Sequence, residues 1–191
     1  MTLSFSQQWP KSMPNTMAGE NTLFPLKILK SLDTDYPAAM HAFKISRFFN
    51  YRRFKGYSSE VWRQINPKIH TIREDKTGRW KPDTKIHFVI NSRTKDRHQF
   101  APVLKVKGIQ KIEIKRVDFE IRKYYSYVVS TAFSGEKYRI PYEITVDGNF
   151  LNREEVEKLV INDGFESPEQ FFSWFNKDFT GKLIHWTYLK Y

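Results

Sequence analysis

The feature that most restricts the fold of this 191-residue chain is a change of hydrophobic period near Ile86. Upstream, apolar residues recur at helical spacing; downstream, the runs IHFVI (86–90), VLKVKGIQKIEIKRV (103–117), YYSYVVSTAF (124–133) and YRIPYEITV (138–146) are β-branched, aromatic and often alternating. A period of two places alternate side chains on opposite sheet faces, so these runs predict strands. Asp147–Gly148 is a tight-turn signal that returns Asn149–Leu151 as a short antiparallel partner.

Helical segments bracket this β-rich middle. Leu26, Ile28, Leu29 and Leu32 predict a helix over Leu23–Leu32, and Met40, Phe43 and Phe48 a second over Tyr36–Phe54. The tail of the second, FFNYRRFKGY, reads first as a helix with aromatics inward and arginines outward and only second as a base-stacking strip. Asn152 with Glu155 predicts a capped helix over about Arg153–Asn162, closed by Asp163–Gly164. Ser167, Pro168 and Gln170 start another, carrying Phe171, Phe172, Trp174 and Phe175 inward, and KLIHWTYL after Gly181 is a closing strand. Residues before about Asn21, with Pro10, Pro14 and Gly19, read as irregular chain. The expected fold is α+β, a β-barrel or strongly bent sheet flanked by helices.

The absence of cysteine excludes disulfide scaffolds, thiolate metal sites and cysteine nucleophiles. His41, His70, His87, His98 and His185 show no metal-ligand spacing, so no metal and no cofactor are expected. No apolar run approaches the length of a membrane span, which leads us to expect a cytoplasmic protein without a membrane partner. The net charge of +11 is uneven. Residues 1–100 hold 18 Lys+Arg and 8 Asp+Glu, a net +10, whereas residues 101–191 hold 14 and 13, a net +1. Such an excess fits a polyanionic partner, or simply a solvated surface.

The stretch Pro67-Lys68-Ile69-His70-Thr71-Ile72-Arg73-Glu74-Asp75, followed by Arg79-Trp80-Lys81-Pro82-Asp83 and Lys85-Ile86-His87-Phe88, resembles the ASCH domain of the PUA-like superfamily. So does the run Asn162-Asp163-Gly164-Phe165, then Phe171-Phe172-Ser173-Trp174-Phe175 and Lys182-Leu183-Ile184-His185-Trp186-Thr187. The resemblance covers residues 66–191 and leaves 1–65 as a helical N-terminal extension packed on the domain. It implies a PUA-like β-barrel with flanking helices and a basic cleft lined by the Lys68–Arg73 segment, binding RNA or a modified nucleotide.

In the family pattern G-x-K-x-x-E-x-R, Lys68 and Arg73 match, Asn66 replaces Gly and Thr71 replaces Glu. Lys68 and Thr71 instead resemble the acetylcytidine amidohydrolases of the same superfamily, whose site combines Lys, Thr and a distant Glu. Asp163, one methylene shorter, is the counterpart of that acid. The catalytic set this implies is Lys68, Thr71 and Asp163. A lysine of ordinary pKa, roughly 10.4, is a poor base, but desolvation lowers it and allows proton transfer from a hydroxyl nucleophile. Equally, Lys68 and Arg73 could only pair with anions, Thr71 serve a strand and Asp163 a helix end.

The expected nucleic-acid contacts are Lys68, Arg73, Arg79, Trp80, Arg93, Lys95 and Arg97. The loop Asn91–His98 reads as a backbone clamp, with Arg93, Lys95 and Arg97 on phosphates and Asn91 or Thr94 on a base or ribose, or as an ordinary exposed loop. Trp80 and Trp186 suit stacking or the core. Alternatives to binding are amidohydrolysis of an acylated cytidine, ribonuclease activity, or docking of a protein partner by the N-terminal helices. Residues 117–144 add strand-like chain with no functional reading.

Overall fold

The computed structural model describes residues 1–32, 59–116, 127–130, 137–140 and 142–191. The predicted helix over Tyr36–Phe54 and the FFNYRRFKGY strip lie outside these residues, as does part of 117–144.

The described residues form an α+β arrangement with two principal sheets and no closed barrel. In the first sheet β3 (Lys85–Ile90) is central, parallel to β1 (Thr2–Ser4) and antiparallel to β4 (His98–Gln99) and β5 (Leu104–Lys105). The second runs β10 (Asn149–Phe150), β9 (Tyr142–Val146), β6 (Gly108–Arg116), β11 (Phe179–His185), β2 (His70–Arg73), antiparallel throughout. A two-stranded antiparallel sheet pairs β7 (Tyr127–Ser130) with β8 (Lys137–Ile140). Only two residues separate β5 from β6, so the chain passes from one sheet directly into the other.

The strand β1 departs from the irregular N-terminus that the sequence suggests. Three residues are too few to show a period, and their extended form comes from the parallel ladder Thr2↔His87 to Ser4↔Val89. Leu3, Phe5, Trp9, Leu26 and Ile28 all belong to the core that holds Phe88, Ile112 and Leu183.

Four helices are described: α1 (Phe24–Lys30), α2 (Ser59–Gln64), α3 (Arg153–Asn162) and α4 (Pro168–Trp174). Alternation along β6 and β9 points Ile112, Ile114, Tyr142, Ile144 and Val146 to one face, which α4 covers through a Phe172 ring stacked on Tyr142 at 4.2 Å between centroids. Helix α3 begins with the predicted reciprocal cap. The Asn152 side chain accepts from the Glu155 amide (3.0 Å), and the Glu155 carboxylate accepts from the Asn152 amide (2.8 Å). At its other end Gly164 takes φ +90°, the Gly164 amide donates to the Ile161 carbonyl and the Phe165 amide to the Val160 carbonyl.

Candidate functional site

The C-terminus of α3 assembles the site. Backbone bonds hold the segment before β2 against it: the Lys68 amide donates to the Lys27 carbonyl of α1 and the Ile69 amide to the Asn162 carbonyl, both at 2.9 Å. That path aims the Lys68 side chain at Asp163, 95 residues later. Lys68 Nζ donates to Asp163 Oδ1 at 2.7 Å and also to the Asp163 backbone carbonyl. Asp163 Oδ1 accepts a second bond from the Ile72 amide (3.3 Å), beside Thr71.

Sequence reading missed Lys27, which looks like an ordinary helix lysine. Its stem is buried, and Nζ donates to the Gly164 carbonyl at 2.7 Å and lies 3.7 Å from Glu166 Oε1. Helix α3 has no basic residue in its own last turn, so Lys27 and Lys68 meet its terminal carbonyls from elsewhere in the chain.

Lys68 is 2% exposed, Thr71 3% and Asp163 4%. The expected open cleft is therefore not where these three sit. Lys68 Nζ lies 4.8 Å from the Phe24 ring centroid, and the pairing with Asp163 is what makes burial of its charge tolerable. Desolvation lowers the Lys68 pKa to about 8, the Asp163 charge opposing the shift and Arg73 and Lys27 adding to it. Desolvation likewise raises the Asp163 carboxyl against the pull of Lys68 and Arg73. Burial thus drives both partners toward neutrality. Among the described residues the Thr71 hydroxyl has no hydrogen-bond partner.

Arg73 leaves β2 on the same face as Thr71, with Nη2 donating to the Ser4 carbonyl (2.7 Å) and the guanidinium carbon 5.2 Å from the Phe5 ring centroid. On the opposite face His70 meets His185, its register partner, with rings 5.3 Å apart. His70 Nδ1 is 3.5 Å from the Tyr191 hydroxyl, and Nε2 is 4.0 Å from Asp163 Oδ1. Both His185 ring nitrogens and His70 Nε2 are buried without a hydrogen-bond partner. Desolvation holds both imidazoles below their ordinary pKa, His185 at about 4. His87, by contrast, pairs with Gln99 on the first sheet (3.0 Å).

The remaining expected contacts fall into three groups. Trp80 is 6% exposed and Trp186 5%, and both rings belong to the core, which removes Trp80 as a free stacking platform. The Trp80 and Arg79 amides both donate to the Asp75 carboxylate at 3.0 Å, and this turn buries the indole while leaving Arg79 exposed. Glu74, Asp75, Lys76, Thr77 and Arg79 line an open depression of ≈ 490 Å³.

In the loop after β3, Arg93, Lys95 and Arg97 are exposed and have no ion-pair partner among the described residues. Asn91 is not free for a base. Its Nδ2 donates to the Asp96 carbonyl (3.3 Å) and its Oδ1 accepts from Gln7 Nε2 (3.2 Å). Thr94 Oγ1 is likewise engaged, donating to the Asn91 carbonyl (3.1 Å).

No group of three or more His, Asp or Glu among the described residues could hold a metal ion, and none of their helices is long and apolar enough to cross a membrane. No protein-family model, curated protein or solved structure matches this chain.

Proposed function

We propose that the protein recognises a nucleotide, in RNA or as a modified nucleoside, at the Lys68–Asp163–Thr71 centre of an ASCH-type, PUA-like domain, a centre whose burial requires local opening to admit the ligand. The observation that carries this reading is the buried pairing of Lys68 with Asp163, whose carboxylate also accepts from the amide of Ile72, the residue after Thr71. Lys68 and Asp163 are 95 residues apart in sequence, and chance gives no reason for them to form a buried ion pair. Arg73 and the cations of the 93–97 loop supply attraction for phosphate. Gln7 ties that loop to the segment holding Phe5 and Trp9, on the Arg73 side of the centre.

A second reading, hydrolysis of an acyl group from cytidine, is favoured by the lowered Lys68 pKa. Neutral Lys68 takes the Thr71 hydroxyl proton as Oγ1 adds to the amide carbonyl. The C–N bond then breaks, and the departing N4 amine receives a proton from Asp163 or from Lys68 ammonium. Water cleaves the resulting Thr71 ester and releases the carboxylic acid. Because burial pushes the lysine down and the acid up, one proton can reside on either partner, providing base and acid together.

Calorimetric titration with a panel of plain and acylated nucleosides, alongside cytidine release from acetylcytidine, tests both readings. Thr71→Val should abolish hydrolysis, and Lys68→Met should weaken binding at least roughly tenfold. A rate that climbs about tenfold per pH unit and levels near pH 8 is the signature of neutral Lys68 as base. Unchanged binding in both variants removes the centre as a nucleotide site.

A further inference from the structure

A second cationic surface lies where the chain passes from the first sheet to the second, and the Lys/Thr/acid centre does not use it. Lys85 and Lys105 stand directly opposite each other on β3 and β5, so their side chains leave the same face. Like charges in that relation cost stability, and Asp83, 3.4 Å from Lys105 Nζ, answers only one of them. Two residues on, Lys107 repeats the outward direction, ~6.6 Å along an extended chain. The Lys190 stem crosses over Gly108 beside it.

Beside Lys107 stands Tyr188, 82% exposed. Lys107 Nζ sits 5.1 Å from its ring centroid, over one face of the ring. A buried role for this aromatic is ruled out by its exposure, and the core gains nothing from it.

We propose that Tyr188, with Lys85, Lys105, Lys107 and Lys190, is a platform for single-stranded nucleic acid, a base stacking on the open face of the tyrosine while the lysines follow the phosphates. Cations beside a solvent-facing ring match a flexible polyanion with planar bases better than an acidic peptide, which offers nothing to stack. The chain that carries Tyr188 leads on to the centre. Three residues after Tyr188, the Tyr191 hydroxyl accepts from Asn162 Nδ2 (2.8 Å), the neighbour of Asp163. The inference therefore deepens the nucleotide reading and rests on it for the class of ligand: the nucleotide at the centre is one unit of a strand rather than a free nucleoside.

The experiment compares a fluorescein-labelled single-stranded RNA oligomer of mixed sequence, followed by anisotropy, with cytidine monophosphate, followed by calorimetry. Tyr188→Ala should weaken the oligomer roughly tenfold and Tyr188→Phe should restore it. Lys107→Ala should reduce the slope of log affinity against log salt by about 1. All three variants should bind the mononucleotide as the unaltered protein does. Oligomer affinity unmoved by Tyr188→Ala and Lys107→Ala overturns the platform, as does an unaltered protein that binds no oligomer at low salt. Thr71→Val and Lys68→Met serve as the separate arm. If they leave mononucleotide binding intact while Tyr188→Ala weakens the oligomer, the centre fails and the platform stands.

Discussion

Two buried titratable clusters meet at β2, where His70 Nε2 lies 4.0 Å from Asp163 Oδ1, and they solve the problem of polar burial in opposite ways. In the first, Lys68 and Asp163 are buried as a bonded pair, each pushed toward neutrality but each supplied with a partner. In the second, His70 and His185 face each other with three ring nitrogens unbonded and are kept uncharged by desolvation. The contrast separates a cluster whose protons can move between groups from one that the fold tolerates only while it carries no charge.

The largest expected effect comes from splitting the pair. Asp163→Ala strands the Lys68 ammonium and should cost about 3–5 kcal/mol in chemical denaturation, whereas Lys68→Met with Asp163→Leu together should recover most of that loss. A single-variant cost below about 1 kcal/mol would mean the pair contributes nothing that depends on both members.

The histidine side should show itself through pH. An unfolded histidine takes a proton near pH 6.5, but folded His185 resists until about pH 4. The unfolded state therefore binds more protons across that interval, and stability falls as pH drops from 6.5 to 4, by on the order of 3 kcal/mol for this residue. Asp163, raised in the folded state, acts with the opposite sign as pH falls through its own range. The difference between the unaltered protein and His185→Gln isolates the imidazole: the variant should lose the extra acid sensitivity, and parallel curves would refute the assignment.

The smallest effects belong to the exposed loop. Arg93→Ala, Lys95→Ala and Arg97→Ala should each change stability by no more than about 0.5 kcal/mol, since Asn91 and Thr94 hold the loop, while each contact with phosphate removes about one unit of salt slope for RNA.

Local signals in the sequence carried most of the C-terminal half. The Asn152/Glu155 cap, the Asp147–Gly148 turn, Pro168 at a helix start and the alternation of 108–116 each act over a few residues, and each matches the observed element. Strand β1 was illegible because its conformation comes from pairing with β3, not from its own three residues. Lys27 and Tyr191 were missed for a related reason: a lysine on a short helix and a tyrosine after a strand have no local pattern announcing a distant partner. Asp163 was found through motif resemblance, and its neighbour Gly164 gave only a turn. Trp80 lost its stacking role because the Asp75 turn folds the indole inward, a geometry that composition cannot express.

The borrowed lysines at the end of α3 also bear on the order in which the molecule matures. Their carbonyl partners lie 137 and 95 residues away in the chain, so a peptide spanning only 152–165 would lack both cations and should be a poor helix in water. During synthesis Lys27 and Lys68 leave the ribosome long before α3 does, and must wait without their acceptors until it emerges.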